Sequence, residues 1–138
     1  MQIAGIKCIL IVVTVLFFFP SCSNDSTEEL SGSYFLRMEG KELNDILSHS
    51  GDRKEIPANI LSFNYDSDFI IASQKPDKTD DPLYVPVSYE RGRDSIYYWI
   101  IIHSKRLTLG PMNKHEFDSA RQTYNVPSDL QLKSVDWQ

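Results

Sequence analysis

Cysteine is almost missing from this chain of 138 residues: Cys8 and Cys22 are the only two. A scaffold built on disulfides is therefore excluded, even in a compartment that would permit one. Basic charge is short as well. Lys+Arg number 14 against 19 Asp+Glu, a net charge of −5. An acidic chain without a basic stripe does not neutralise phosphates, so nucleic acid is excluded as a partner, and so is adhesion to anionic lipid through the chain's own side chains. No internal repeat of solenoid period occurs. The metal and phosphate signatures HExxH, GxGxxG and GxxxxGK are missing, as is the nucleophile elbow GxSxG. His49, His103 and His115 are scattered and have no zinc spacing. Asp77, Asp80 and Asp81 lack the spacing of a calcium loop and read as a solvated acidic turn. The sequence thus nominates no catalytic residue, no metal site and no cofactor.

Long apolar runs are also scarce. The longest, Cys8–Phe19, has 12 residues, whereas a membrane-spanning helix needs roughly 20. Preceded by Lys7 and followed by Pro20 and Ser21, it has the dimensions of a signal-peptide core. Phe19-Pro20-Ser21-Cys22 resembles the bacterial lipobox, in the looser form used by Bacteroides-type bacteria. Phe19 stands for the usual Leu-like residue, and Pro20 for a small one. The expectation is a leader over 1–21 and a lipid on Cys22, which accounts for the lone mature cysteine and anchors the chain to a membrane of the cell envelope, the outer membrane in such bacteria. The competing reading is an uncleaved anchor or an ordinary signal peptide cut elsewhere. Residues 22–33 are small, polar and acidic, and predict a flexible tether. Asp25, Glu28 and Glu29 resemble a signal for the outer face of the outer membrane, with a plain solvated linker as the alternative.

Residues 34–138 predict a single α+β domain: an antiparallel sheet of five to seven strands packed by two helices. Alternation over Tyr34–Glu39, Leu61–Tyr65 and Leu83–Tyr89 marks strands, with Pro86 assigning the last to an edge. Asp66-Ser67-Asp68 turns a hairpin into Phe69–Gln74. Ile96–His103 is apolar on both faces and predicts the central strand. Leu43, Ile46 and Leu47 stand at helical spacing and predict a short helix over about 41–49. A second helix over about 113–125 opens on Asn113 with Glu116 three residues on, a capping-box spacing, and stops before Pro127.

The run Phe63–Gln74, then Tyr97–Ile102, then Gly110-Pro111, Phe117 and Val126-Pro127 is similar to a family of small uncharacterised lipoproteins of Bacteroides-type gut bacteria and Firmicutes. That resemblance implies a fold and carries no active site.

The most distinctive side chains are aromatic: Tyr84, Tyr89, Tyr97, Tyr98 and Trp99. On a strand Tyr97 and Trp99 share one face and Tyr98 the other. Either one set fills the core while the other packs under the C-terminal helix, or Tyr84, Tyr89, Tyr97 and Trp99 form an exposed platform for a glycan or an envelope protein. Three roles stay open. The first is a non-enzymatic binding or accessory module. The second is an inhibitor or immunity-like lipoprotein that occupies a protein through a sheet edge near Pro86. The third is a hydrolase, which would need a Ser/His pair or converging carboxylates in a pocket.

Overall fold

A computed structural model describes residues 25–40, 43–82 and 85–136. Three layers follow one another. A small antiparallel sheet holds β1 (Asp25–Glu29), β2 (Tyr34–Glu39) and β3 (Asn44–Ser48), in that order. It packs on a larger sheet made of β4 (Ile60–Tyr65), β5 (Phe69–Gln74), β6 (Tyr97–Ile102), β7 (Leu107–Met112) and β8 (Lys133–Ser134), arranged 7-6-5-4-8. Helix α1 (Lys114–Thr123) covers the far face. The α+β class therefore stands, but the strands divide between two sheets, with one apolar core between them and another under the helix.

The parity of β6 builds both cores. Trp99 and Ile101 face the small sheet, where they meet Leu36, Ile46, Ile70 and Ala72. Ile100 and Ile102 face the helix with Ile71, Phe117 and Val126. A strand buried on both faces reads as a continuous apolar run, and YYWIII is one. The helix starts as its sequence dictates. Asn113 Oδ1 accepts from the Glu116 amide, and the Glu116 carboxylate accepts from the Asn113 amide, each at 2.8 Å.

Three expectations are corrected. Residues 44–48, expected in a helix, form β3. Ile46 exchanges both backbone hydrogen bonds with Ile56, and Asn44 Nδ2 donates to the Ile60 carbonyl at 2.6 Å. These distant partners outweigh a local period that five residues barely define. Within the expected tether, Asp25–Glu29 pairs along β2 as an edge strand with every residue exposed. Leu30, the one apolar residue of that stretch, packs on the core between the sheets and holds the segment down. Finally, residues 85–89 form no strand, so there is no sheet edge at Pro86; Leu83 and Tyr84 lie outside the described residues, as do residues 1–24 with Cys22.

Candidate functional site

Of the proposed aromatic platform, Trp99 is fully buried and Tyr97 is 2% exposed. Neither can be offered to a ligand. Their polar handles are used internally. Trp99 Nε1 donates to Gln74 Oε1 at 2.7 Å. The Tyr97 hydroxyl donates to the Gly92 carbonyl and accepts from the Arg91 amide, both at 2.9 Å, which fixes the turn ahead of β6. Tyr97 and Trp99 are therefore interior side chains. Tyr98 stacks on Phe117 under the helix, with ring centroids 5.0 Å apart.

Tyr89 is different. It is half-buried and lines a cleft of about 210 Å³ between the β2–β3 pair and the loop of residues 75–93. Gln74, itself buried, carries the connection from the core. Its Nε2 donates to the Tyr89 hydroxyl at 2.9 Å, while its Oε1 holds Trp99. Burial raises the Tyr89 hydroxyl above its ordinary pKa, with the Gln74 hydrogen bond pulling the other way, so the phenol stays neutral and able to donate.

One wall of the cleft is charged and ordered. Arg37 and Asp45 stand opposite each other in the β2–β3 register. Arg37 Nε donates to Asp45 Oδ1 at 3.1 Å and Nη2 donates to Oδ2 at 2.7 Å, a two-pronged pair with the aspartate 3% exposed. Glu39 approaches the same guanidinium at 3.6 Å. On the opposite side Arg93 pairs with Asp80, donates to the Asp77 carbonyl at 2.6 Å, and lies 5.2 Å over the Tyr89 ring. Asn59 Nδ2 donates to the Asp77 carboxylate at 2.7 Å. The acidic turn read as solvated is in part an ordered cleft wall. Leu43, Val85 and Pro86 supply an aliphatic rim.

Among the described residues, Tyr89 is the one expected site residue that the cleft retains. Arg37, Asp45 and Arg93 were not among the candidates. Opposite charges at 37 and 45, paired about a turn, would have signalled them had β3 been read as a strand.

A Ser/His pair is also present away from this cleft, with Ser31 Oγ 2.8 Å from His103 Nε2. Its Nδ1 is buried without a partner, so no carboxylate orients the ring. His49 is exposed, stacks on Phe35 and pairs with Glu29 at 2.9 Å, clipping β1 to the end of β3. His115 is exposed on the first turn of α1. Among the described residues no three His, Cys, Asp or Glu side chains come together as metal ligands, and no helix is long and apolar enough to cross a membrane.

The chain belongs to the family described as protein of unknown function (DUF3997), whose model matches residues 31–136 and so spans every residue named in the cleft. No curated protein and no solved structure matches the chain.

Proposed function

We propose that this chain is an exported lipoprotein held to a bacterial envelope membrane through Cys22, and that its domain is a non-enzymatic binding module whose cleft takes a sugar unit of an envelope or extracellular glycan. The observation that carries the reading is the Arg37–Asp45 pair, presented along a cleft wall with Tyr89 and Arg93 opposite. A buried ion pair adds little net stability, so its placement in a cleft is better explained by recognition. Fixed guanidinium and carboxylate groups match hydroxyls that both donate and accept, and a tyrosine adds an apolar face with a polar tip. At about 210 Å³ the cleft suits one small ring or side chain.

The anchor rests on the sequence: a 12-residue apolar run, a small residue before Cys22, and no later cysteine. The outer membrane is the proposed site, with Asp25, Glu28 and Glu29 as the sorting stretch. A second reading, an inhibitor or immunity-like lipoprotein, is favoured by β1, an edge strand whose residues are all exposed and could pair with a partner's strand. Its acidic side chains protect that edge against indiscriminate pairing, and the reading is ranked second.

The test combines fractionation with a glycan array. Cys22→Ser should release the protein from membranes or leave its precursor uncut. The soluble domain should bind a subset of glycans, and Tyr89→Ala and Arg93→Ala should abolish that binding. An array that stays blank, beside capture of one envelope protein that a charge placed in β1 disrupts, would favour the second reading.

A further inference from the structure

The chain leaves the described structure at a defined place. Asp25 opens β1 and lies opposite Glu39, the last residue of β2. Cys22 stands three residues earlier in the sequence, and three residues reach at most about 11 Å. A lipid on that cysteine therefore puts the end of the small sheet that carries Asp25 and Glu39 next to the bilayer, with no long tether between.

That end has an unusual surface. The Glu39 amide donates to the Leu43 carbonyl at 2.7 Å, closing the β2–β3 turn there. Leu43 is 52% exposed and Val85, across the same cleft, is 84% exposed. Among the described residues Val85 is the most exposed large aliphatic, and neither side chain contributes to either core.

We infer that Leu43 and Val85 form a docking rim that rests in the interface of the bilayer holding Cys22, so that the cleft lies at the membrane surface. The inference depends on the lipid-anchor reading above. Two aliphatic side chains cannot hold a protein to a membrane, but beside a lipid anchor they can fix its orientation, since interfacial binding scales with buried apolar area. Charge names the kind of surface. Five carboxylates (Glu39, Asp45, Asp77, Asp80 and Asp81) line the same cleft against two guanidinium groups, Arg37 and Arg93, so the lining is net negative; an anionic headgroup layer repels this end and a zwitterionic one, rich in ammonium groups, does not. The cleft then samples molecules at headgroup level.

The full-length protein, processed in a lipoprotein-exporting host and reconstituted in phosphatidylethanolamine/phosphatidylcholine vesicles, provides the test. Mass spectrometry of the N-terminal peptide reports the lipid directly. The lipidated Cys22 thiol is blocked, so Leu43→Cys, Val85→Cys and, on the exposed face of α1, Ser119→Cys can each take one environment-sensitive fluorophore. Probes at 43 and 85 should shift to the blue and be quenched by spin-labelled lipid, with none of this at 119. Raising the anionic lipid fraction should weaken both effects. If the protein carries its lipid and stays on the vesicles while the probes at 43 and 85 behave like that at 119, the docking rim is wrong and the anchor stands. A peptide without lipid and a protein free of vesicles overturn the anchor, and the docking with it.

Discussion

Ser31 Oγ lies 2.8 Å from Nε2 of His103, joining residues 72 positions apart in the chain. The bond ties the segment after β1 to the end of β6. Between the two, Gly32 has φ +63° and passes so close to the imidazole that a Cβ there would fall 2.2 Å from Nδ1. With backbone against the ring and no acceptor at Nδ1, the pair reads as a clamp rather than an activated nucleophile.

Ser31→Ala should therefore lower stability by about 1 kcal/mol, the usual net worth of one such hydrogen bond. Urea unfolding measures this. Fluorophosphonate probes should leave Ser31 of the native protein unlabelled; stoichiometric labelling that His103→Ala abolishes would revive the hydrolase reading.

The same histidine should make stability pH-dependent. Burial, joined by nearby Arg53, lowers the His103 pKa, while Asp66 and Asp68 oppose the shift. Folded, the ring resists the proton that the unfolded chain accepts near pH 6.5. Its contribution is complete above that pH and is lost as the pH falls through the lower folded value. Melting temperature should drop as the pH falls below about 6.5, before the range where carboxylates protonate. His103→Gln should flatten that slope, and an unchanged slope would assign it to another group.

Much of the architecture was legible because it rests on local signals. The apolar run of β6, the Asp66–Asp68 turn and the Asn113–Glu116 cap each satisfy their rule within a few residues. The stretch 43–48 did not, because Leu43, Ile46 and Leu47 fit a helical stripe, and what decides against it is Ile56 and Ile60 far along the chain. The cleft was missed for the same reason. Arg37 and Asp45 become partners only once β3 is a strand. Aromatic clustering gave too broad a signal, since parity on β6 separates faces without saying what covers each. Tyr97 and Trp99 are covered, and among the described residues of that group only Tyr89, on a loop, reaches the cleft.

Gly110 is a position where packing forbids a side chain. It has φ +138°, and a Cβ would sit 2.5 Å from the Trp99 ring. Trp99 is fully buried and held at Nε1 by Gln74, so it has no room to yield. Gly110→Ala should cost about 3 kcal/mol from backbone strain and overpacking together. Chemical denaturation reads the loss, and near-ultraviolet circular dichroism should show a disturbed tryptophan. A neutral Gly110→Ala would mean that β7 shifts away from β6 at little cost.

The Arg37–Asp45 pair separates stability from recognition. Asp45 is 3% exposed, so removing the guanidinium takes two charge-assisted hydrogen bonds from a carboxylate in a poorly solvated place. Loss of one partner of a buried pair costs about 3–5 kcal/mol. The Arg37 side chain is 32% exposed, however, and water can reach part of the gap. Arg37→Leu should therefore destabilise by about 2 kcal/mol. The double variant Arg37→Leu/Asp45→Leu removes that carboxylate as well and should recover most of that loss, ending within about 1 kcal/mol of the native chain. Binding should behave otherwise. If the pair is the recognition element, the double variant is folded and stable yet retains no glycan binding. A double variant that binds as well as the native domain would move the recognition surface off this wall, toward Tyr89 and Arg93 alone.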